Sequence, residues 1–233
     1  MTLSQTAMIH GEPGERARTT GILRLFYPFL FTGVAIGFFI GLAFPSHRTL
    51  AGVGLLLTAA ALIWIIRDGL KRFEAFFKGA RGEERVAAIL AMLPSDYHVF
   101  HNVVTQGAET IDHVVIGPTG VFAIETKFWQ GRVAIEDGAI TINGHRPSRD
   151  PVQQVKAAYR HLQDFCLATS NSSLSGQAVV CFANNALDAE NPQNLDPVLI
   201  CNANMMLTLI EQAPARMTRV ERDRLVTFLE QKI

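Results

Sequence analysis

Two stretches without a charged side chain, residues 25–46 and 49–66, constrain this chain more than any other feature it has. A run of about 20 apolar residues is what an α-helix needs to cross the hydrocarbon core of a bilayer. The first stretch offers no polar face to turn toward water, which argues against a pair of core helices in a soluble fold. Between the two lies Pro45-Ser46-His47-Arg48, enough for a tight turn only. The unit reads as a transmembrane helical hairpin. Its first run is too long for the apolar core of a cleaved signal peptide, and a second run follows at once. With no acidic or basic side chain inside either span, a transport pathway between the two helices has nothing to carry it.

The flanking charges orient the hairpin. Arg16, Arg18 and Arg24 precede the first span, Arg67, Lys71, Arg72 and Lys78 follow the second, and the turn carries Arg48 alone. The positive-inside rule then expects a multi-pass protein of the cytoplasmic (inner) membrane with both termini in the cytoplasm. Residues 1–24, polar and containing Gly, Pro and Arg, read as a flexible N-terminus. Residues 67–78 mix bases with Phe73, Phe76 and Phe77, which suits a juxtamembrane linker helix on an anionic lipid surface or an extension of the second span. Gly33, Gly37 and Gly41 recur every four residues on the first span. Such a row permits close helix approach, either to the second span, the use favoured here, or to a second copy in a homodimer.

The remainder, residues 79–233, is expected to be a soluble domain. It holds thirteen Lys/Arg against seventeen Asp/Glu, whereas residues 1–78 hold eight against four. A net acidic domain argues mildly against tight non-specific DNA binding, which depends on bases against phosphate. Cys166, Cys181 and Cys201 match no zinc spacing and are odd in number, so they read as small apolar residues in a reducing compartment. Arg81–Leu93 has helical periodicity, with Val86, Ala87, Leu90 and Leu93 on one stripe and Glu83 one turn earlier on that stripe. A carboxylate on a core-facing stripe needs a partner. A strand over Tyr97–Val104 follows. Arg132–Glu136 and Ala139–Ile142 form a hairpin about Asp137-Gly138. Asp150-Pro151-Val152-Gln153 caps a helix whose inner face carries Gln154, Ala157, Ala158, His161, Leu162 and Phe165. Strands over Gln177–Ala183 and Pro197–Cys201, a turn-rich stretch between them, and helices over Asn204–Gln212 and from Thr218 complete the order. That order is α/β with a mixed central sheet flanked by helices.

The chemistry concentrates in Ile111–Lys127, IDHVVIGPTGVFAIETK, read as a β-hairpin about Gly117-Pro118-Thr119-Gly120. Pairing Ile116 with Val121 sets Val114 against Ala123 and Asp112 against Glu125, and Lys127 shares their face. Two adjacent carboxylates repel unless a proton or cation lies between them, and a divalent metal with oxygen ligands would satisfy them. Carboxylates for a metal, with a lysine to orient water or stabilise developing charge, are the groups phosphodiester hydrolysis uses. The plainer use of the same residues is a salt-bridge cluster at a sheet edge. His113 should face away from Asp112 and pack.

Asp…Glu-x-Lys on a hairpin is the pattern of the PD-(D/E)XK nuclease superfamily. Residues 79–165 resemble its NERD (nuclease-related) domain family. The likeness rests on Gly79-x-x-Gly82-Glu83, Ile111-Asp112-His113 with its apolar strand and turn, Glu125-Thr126-Lys127, Gly131, and Pro151-x-x-Gln154. Ile111 stands where the superfamily usually has proline. The resemblance implies a restriction-endonuclease-like fold, Asp112 and Glu125 as metal ligands, Lys127 as the catalytic lysine, Glu83 as a supporting helix acid and Gln154 as an active-site amide. It also implies Mg²⁺, or Mn²⁺ in its place, and nucleic acid, DNA before RNA, as substrate of a membrane-anchored phosphodiester hydrolase. The alternative is a non-catalytic, membrane-tethered module for nucleic-acid binding or protein interaction.

Overall fold

The structure, a computed structural model, describes residues 6–43, 47–104, 110–170, 175–195 and 197–230. In chain order the elements are β1 (Met8–His10), α1 (Glu15–Ala43), α2 (Arg48–Leu90), β2 (His98–Val104), β3 (Thr110–Gly117) and β4 (Gly120–Lys127). β5 (Val133–Glu136), β6 (Ala139–Ile142), α3 (Pro151–Ser170), β7 (Gly176–Phe182), β8 (Gln193–Leu195) and β9 (Val198–Asn202) follow. A short 3₁₀ turn, Ala203–Met205, leads into α4 (Met206–Glu211), and α5 (Arg219–Glu230) is last. The chain divides into two compact units, Arg16–Ala80 and a second formed by Met1–Glu15 with Arg81–Ile233.

The Arg16–Ala80 unit is the apolar hairpin. Glu15–Gly41 and Thr49–Leu90 are each long and apolar enough to cross a membrane, with mean hydropathy 1.8 and 2.3 over their best windows. Large apolar side chains such as Phe31, Leu56, Ile63 and Trp64 lie two-thirds or more exposed. The two helices meet where Phe39 lies on Gly54 and Phe76 on Gly21, and Arg24 sits over the Phe76 ring. Gly33, Gly37 and Gly41 meet nothing within 4 Å, so the favoured use of that row, packing on the second span, is not the observed one. Bulky phenylalanines of one helix seat on glycines elsewhere, and the row is left open. The expected linker over 67–78 is an uninterrupted part of α2. The tight turn expected at Pro45–Arg48 lies partly outside the described residues.

In the other unit the seven-stranded sheet runs β1-β2-β3-β4-β7-β9-β8. β2–β3–β4 is antiparallel, β4–β7–β9 parallel, and the two outer strands pair parallel (β1) and antiparallel (β8). One face is covered by the last turns of α2, where Val86 and Leu90 pack on Val99, Val115, Phe122 and Ile124. On the other face Ala158 and Leu162 of α3 and Leu225 and Leu229 of α5 pack on Phe100, Val114 and Ile116. The β3–β4 register is Ile116↔Val121 and Val114↔Ala123, as expected, with Gly117↔Gly120 closing the turn one step further in. Gly117 has no room for a side chain, because a Cβ there would stand 2.1 Å from the Tyr97 ring. Asp137 (φ 48°) and Gly138 (φ 69°) make the β5–β6 turn that the sequence signals.

The flexible N-terminus expected for residues 1–24 is corrected from Thr6 onward. Thr6 bridges Pro94, Met8–His10 is an edge strand beside His98–Phe100, and α1 begins at Glu15. A composition rich in Gly, Pro and Arg says nothing of a docking edge 88 residues away, which is why the strand was invisible in the sequence. β8, inside the turn-rich stretch, was missed likewise; three residues pairing with a distant strand leave no periodic signal.

Candidate active site

The site is built at the open end of the β3–β4 hairpin. The ladder between these strands ends at His113↔Ile124. One step beyond, the Thr126 backbone amide donates to Asp112 Oδ2 at 2.7 Å, so a side chain takes over where the strand bonds stop. Glu125 is 3% exposed, because β4 lies between β3 and β7 and pairs Glu125 with Val180. A carboxylate so buried requires donors. Lys127 Nζ donates to Glu125 Oε1 at 2.5 Å, and Gln154 Nε2 donates to the same oxygen at 2.5 Å. Lys127 Nζ also donates to Gln154 Oε1 at 3.2 Å, closing a three-membered ring of contacts.

Gln154 reaches this ring because α3 starts where it does. Asp150 Oδ1 accepts from the Val152 amide at 2.9 Å, the expected N-cap, with Pro151 in the first turn. Val152, Val155, Ala158 and Leu162 form the buried stripe of α3. Gln154 lies at the stripe's edge, half-buried, and so can bond its neighbours without occupying the core. Gln153 is exposed.

Glu83 arrives from the other face of the sheet, on the last turns of α2. Gly82 permits this. A Cβ on Gly82 would stand 2.9 Å from Phe128 Cβ, so only glycine lets the helix approach the strand end this closely. Glu83 is half-buried, and its Oε2 accepts from the Gly14 backbone amide at 3.0 Å. Burial pushes the Glu83 carboxyl up to about 7, with Glu125 adding repulsion and the Gly14 amide and Lys127 opposing. Asp112 is raised well above the usual carboxylate range, first by burial and then by the charges of Glu125 and Glu83, against the pull of Lys127 and the Thr126 amide. Three carboxyls thus share one field with a single lysine.

All five residues singled out in the sequence, Glu83, Asp112, Glu125, Lys127 and Gln154, come together here. His113 faces away and is fully buried, with Nδ1 2.8 Å from His101 Nδ1; burial, then His101, holds it well below the usual histidine range. Sequence reasoning missed the Gly14 amide, since nothing near Gly14 signals a carboxylate 69 residues later.

Among the described residues no group of three or more His, Cys, Asp or Glu forms a ready cation cage. The donor set nonetheless fits a hard divalent cation of the Mg²⁺ type. Such ions are commonly held by one or two carboxylates with water and substrate phosphate completing the shell, and Asp112 and Glu125 are the two oxygen donors at this strand end, Asp112 being raised first by burial and then by its like-charged neighbours.

A nuclease-related domain, NERD, matches residues 78–183, the stretch that contains all five site residues. An uncharacterized protein of Bacillus anthracis is 39% identical over 80 residues, covering 32% of this chain and 38% of that protein. The chain therefore spans well under half the length of that relative. No solved structure matches. The NERD match takes in a little under half of the chain and points to a nuclease-related function for this stretch.

Proposed function

We propose that the protein is a membrane-anchored, metal-dependent nuclease that hydrolyses phosphodiester bonds of nucleic acid, DNA before RNA. One observation carries the reading: a single buried Glu125 oxygen receives both the Lys127 ammonium and the Gln154 amide, with Asp112 across the hairpin. In this reading Asp112 and Glu125 would hold Mg²⁺, or Mn²⁺, which would lower the pKa of a water and offset negative charge on the phosphate. Lys127 donates to the attacking water or to the oxygen on which negative charge grows. Gln154 holds Lys127 and Glu125 in register through both ends of its amide. Glu83, with a carboxyl near neutrality, can take or return a proton at physiological pH.

The anchor belongs to the same proposal. Residues 25–66 cross the bilayer twice, and the flanking bases place both ends of the chain and the nuclease-like domain at the cytoplasmic face. The strand pairing supports a two-fold crossing, because β1 precedes the hairpin, β2 follows it, and the two are neighbours in one sheet. The open Gly33, Gly37 and Gly41 row supports a homodimer through the first span.

The test uses the full chain in detergent with supercoiled DNA, linear DNA and RNA, with Mg²⁺, Mn²⁺ or a chelator. Cation-dependent cleavage that falls about 100-fold or more in Asp112→Ala and Lys127→Ala is expected. Absence of cleavage, or cleavage that survives both substitutions, overturns the reading. The acidic balance of residues 79–233 would then favour a non-catalytic binding or interaction module tethered to the membrane.

A further inference from the structure

The Glu83 carboxylate is held by a part of the chain from the other side of the apolar hairpin. Ala7 is buried in the same core as Leu90 and Leu93, and its amide donates to Leu93 O at 2.8 Å. Met8–His10 then pairs in parallel with His98–Phe100, with the Met8 amide on Tyr97 O at 3.0 Å. The His10 ring stacks on Phe100 with centroids 4.3 Å apart, and its Nδ1 is 3.6 Å from Glu230 of α5. Asn102, itself at φ 55°, donates its side-chain amide to Glu12 O. Past these anchors the backbone takes left-handed turns at Gly11 (φ 79°) and Gly14 (φ 73°), and the buried Gly14 amide meets Glu83 Oε2 at 3.0 Å. α1 begins at the next residue.

We propose that Ala7–Gly14 is a positioning segment of the candidate active site, whose Gly14 main-chain amide sets the Glu83 carboxylate toward Asp112 and Glu125; this rests on the nuclease reading. Glutamate has three side-chain torsions, and a half-buried carboxylate surrounded by others of like charge has reason to turn away. A fixed amide donor opposes that and favours the ionised form. The site is then assembled from two stretches joined only through Arg16–Ala80. A three-residue edge strand is a weak holder on its own, and its local concentration depends on that connection. A chain severed within the hairpin therefore loses the segment and, with it, the placement of Glu83.

The experiment compares full-length proteins in detergent: the parent, Val220→Ala, Met8→Pro, Gly14→Val, Glu83→Ala, and the Met8→Pro/Glu83→Ala double variant. Val220 of α5 is 61% exposed and lies outside the segment and the site, so Val220→Ala is the control and should cleave like the parent. Met8→Pro removes the amide bond to Tyr97. Gly14→Val leaves β1 paired but puts a β-branched residue at a left-handed φ, turning the amide away. The expected result is a fall in kcat of about tenfold or more in Met8→Pro, Gly14→Val and Glu83→Ala, with KM within about twofold. The double variant should be no worse than Glu83→Ala alone, because the segment acts through that residue. Parent-like kcat in both Met8→Pro and Gly14→Val, or losses that multiply in the double variant, overturns the proposal while leaving the nuclease reading intact. A parent that cleaves nothing removes the nuclease reading instead. The same proteins are then read by Mn²⁺ affinity from electron paramagnetic resonance. Equal, non-additive weakening in the segment and Glu83 variants supports the positioning role, and unchanged affinity overturns it.

Discussion

Two residues decide how this site responds to pH. Glu83 and Asp112 both have carboxyls raised in the folded state, Glu83 to about 7, with burial as the first cause in each. A raised folded value means that the native state binds a proton the unfolded chain has already released. The associated stability is present below the ordinary carboxylate range and is lost as pH rises through about 7. Without divalent cation, the Tm of the protein should therefore fall between about pH 5 and about pH 8. Glu83→Gln, which removes the charge and retains an acceptor for Gly14, should flatten that fall. Mn²⁺ should raise Tm more at about pH 8 than at about pH 5, because its ligands must first lose their protons. Differential scanning fluorimetry across pH checks all three; a cation effect that shrinks with rising pH would contradict the assignment of Asp112 as a ligand. Gln154→Ala should cost less activity than Lys127→Ala, since it removes an orienting amide and leaves the ammonium.

At the scale of elements, the close contact between the end of α2 and the end of β4 brings a helix acid to a strand carboxylate. Gly82 against Phe128 is that contact. Gly82→Ala adds one methyl where a Cβ stands 2.9 Å from Phe128 Cβ, so the helix must move outward. Overpacking of this kind typically costs about 1–3 kcal/mol, and denaturant unfolding should show it. The displaced helix carries Glu83 with it, so cleavage should fall by more than the loss of stability alone explains. Truncating Leu90, about two turns further along α2, by Leu90→Ala should cost about 2–5 kcal/mol while leaving the geometry at Gly82 in place. Comparing the two variants at a temperature where both are folded separates packing from positioning.

For the molecule as a whole, the parallel pairing of β1 with β2 sets a constraint on topology. The stretch before the first apolar helix and the domain after the second must lie on one side of any membrane the hairpin crosses. Glu12→Cys and Glu190→Cys, both exposed, should react with a membrane-impermeant maleimide from the same side of sealed vesicles. His47→Cys, between the two apolar helices, should react only from the other. The native cysteines are all buried and add little background. Labelling of all three positions from one side would remove the spanning hairpin from the reading.

What the sequence determined by itself is what local chemistry dictates. Charge-free runs long enough for a bilayer, an Asp-Gly turn, an Asp150 cap and period-two strands are all decided within a few residues, and so was the register that carries Asp112, Glu125 and Lys127 to one strand end. Thr218 and Glu221 at the start of α5 belong to the same class: the Glu221 amide donates to Thr218 Oγ1 at 3.3 Å and the Thr218 amide to Glu221 Oε2 at 2.8 Å. Tertiary structure alone decided the rest. The docking of Met8–His10, the joining of the linker and core helix into one α2, and the outward turn of the Gly33–Gly41 row depend on surfaces that meet only after folding. Gly14 finds Glu83 across 69 residues because an edge strand needs a partner and a buried carboxylate needs a donor, and neither need is written in the neighbours of either residue.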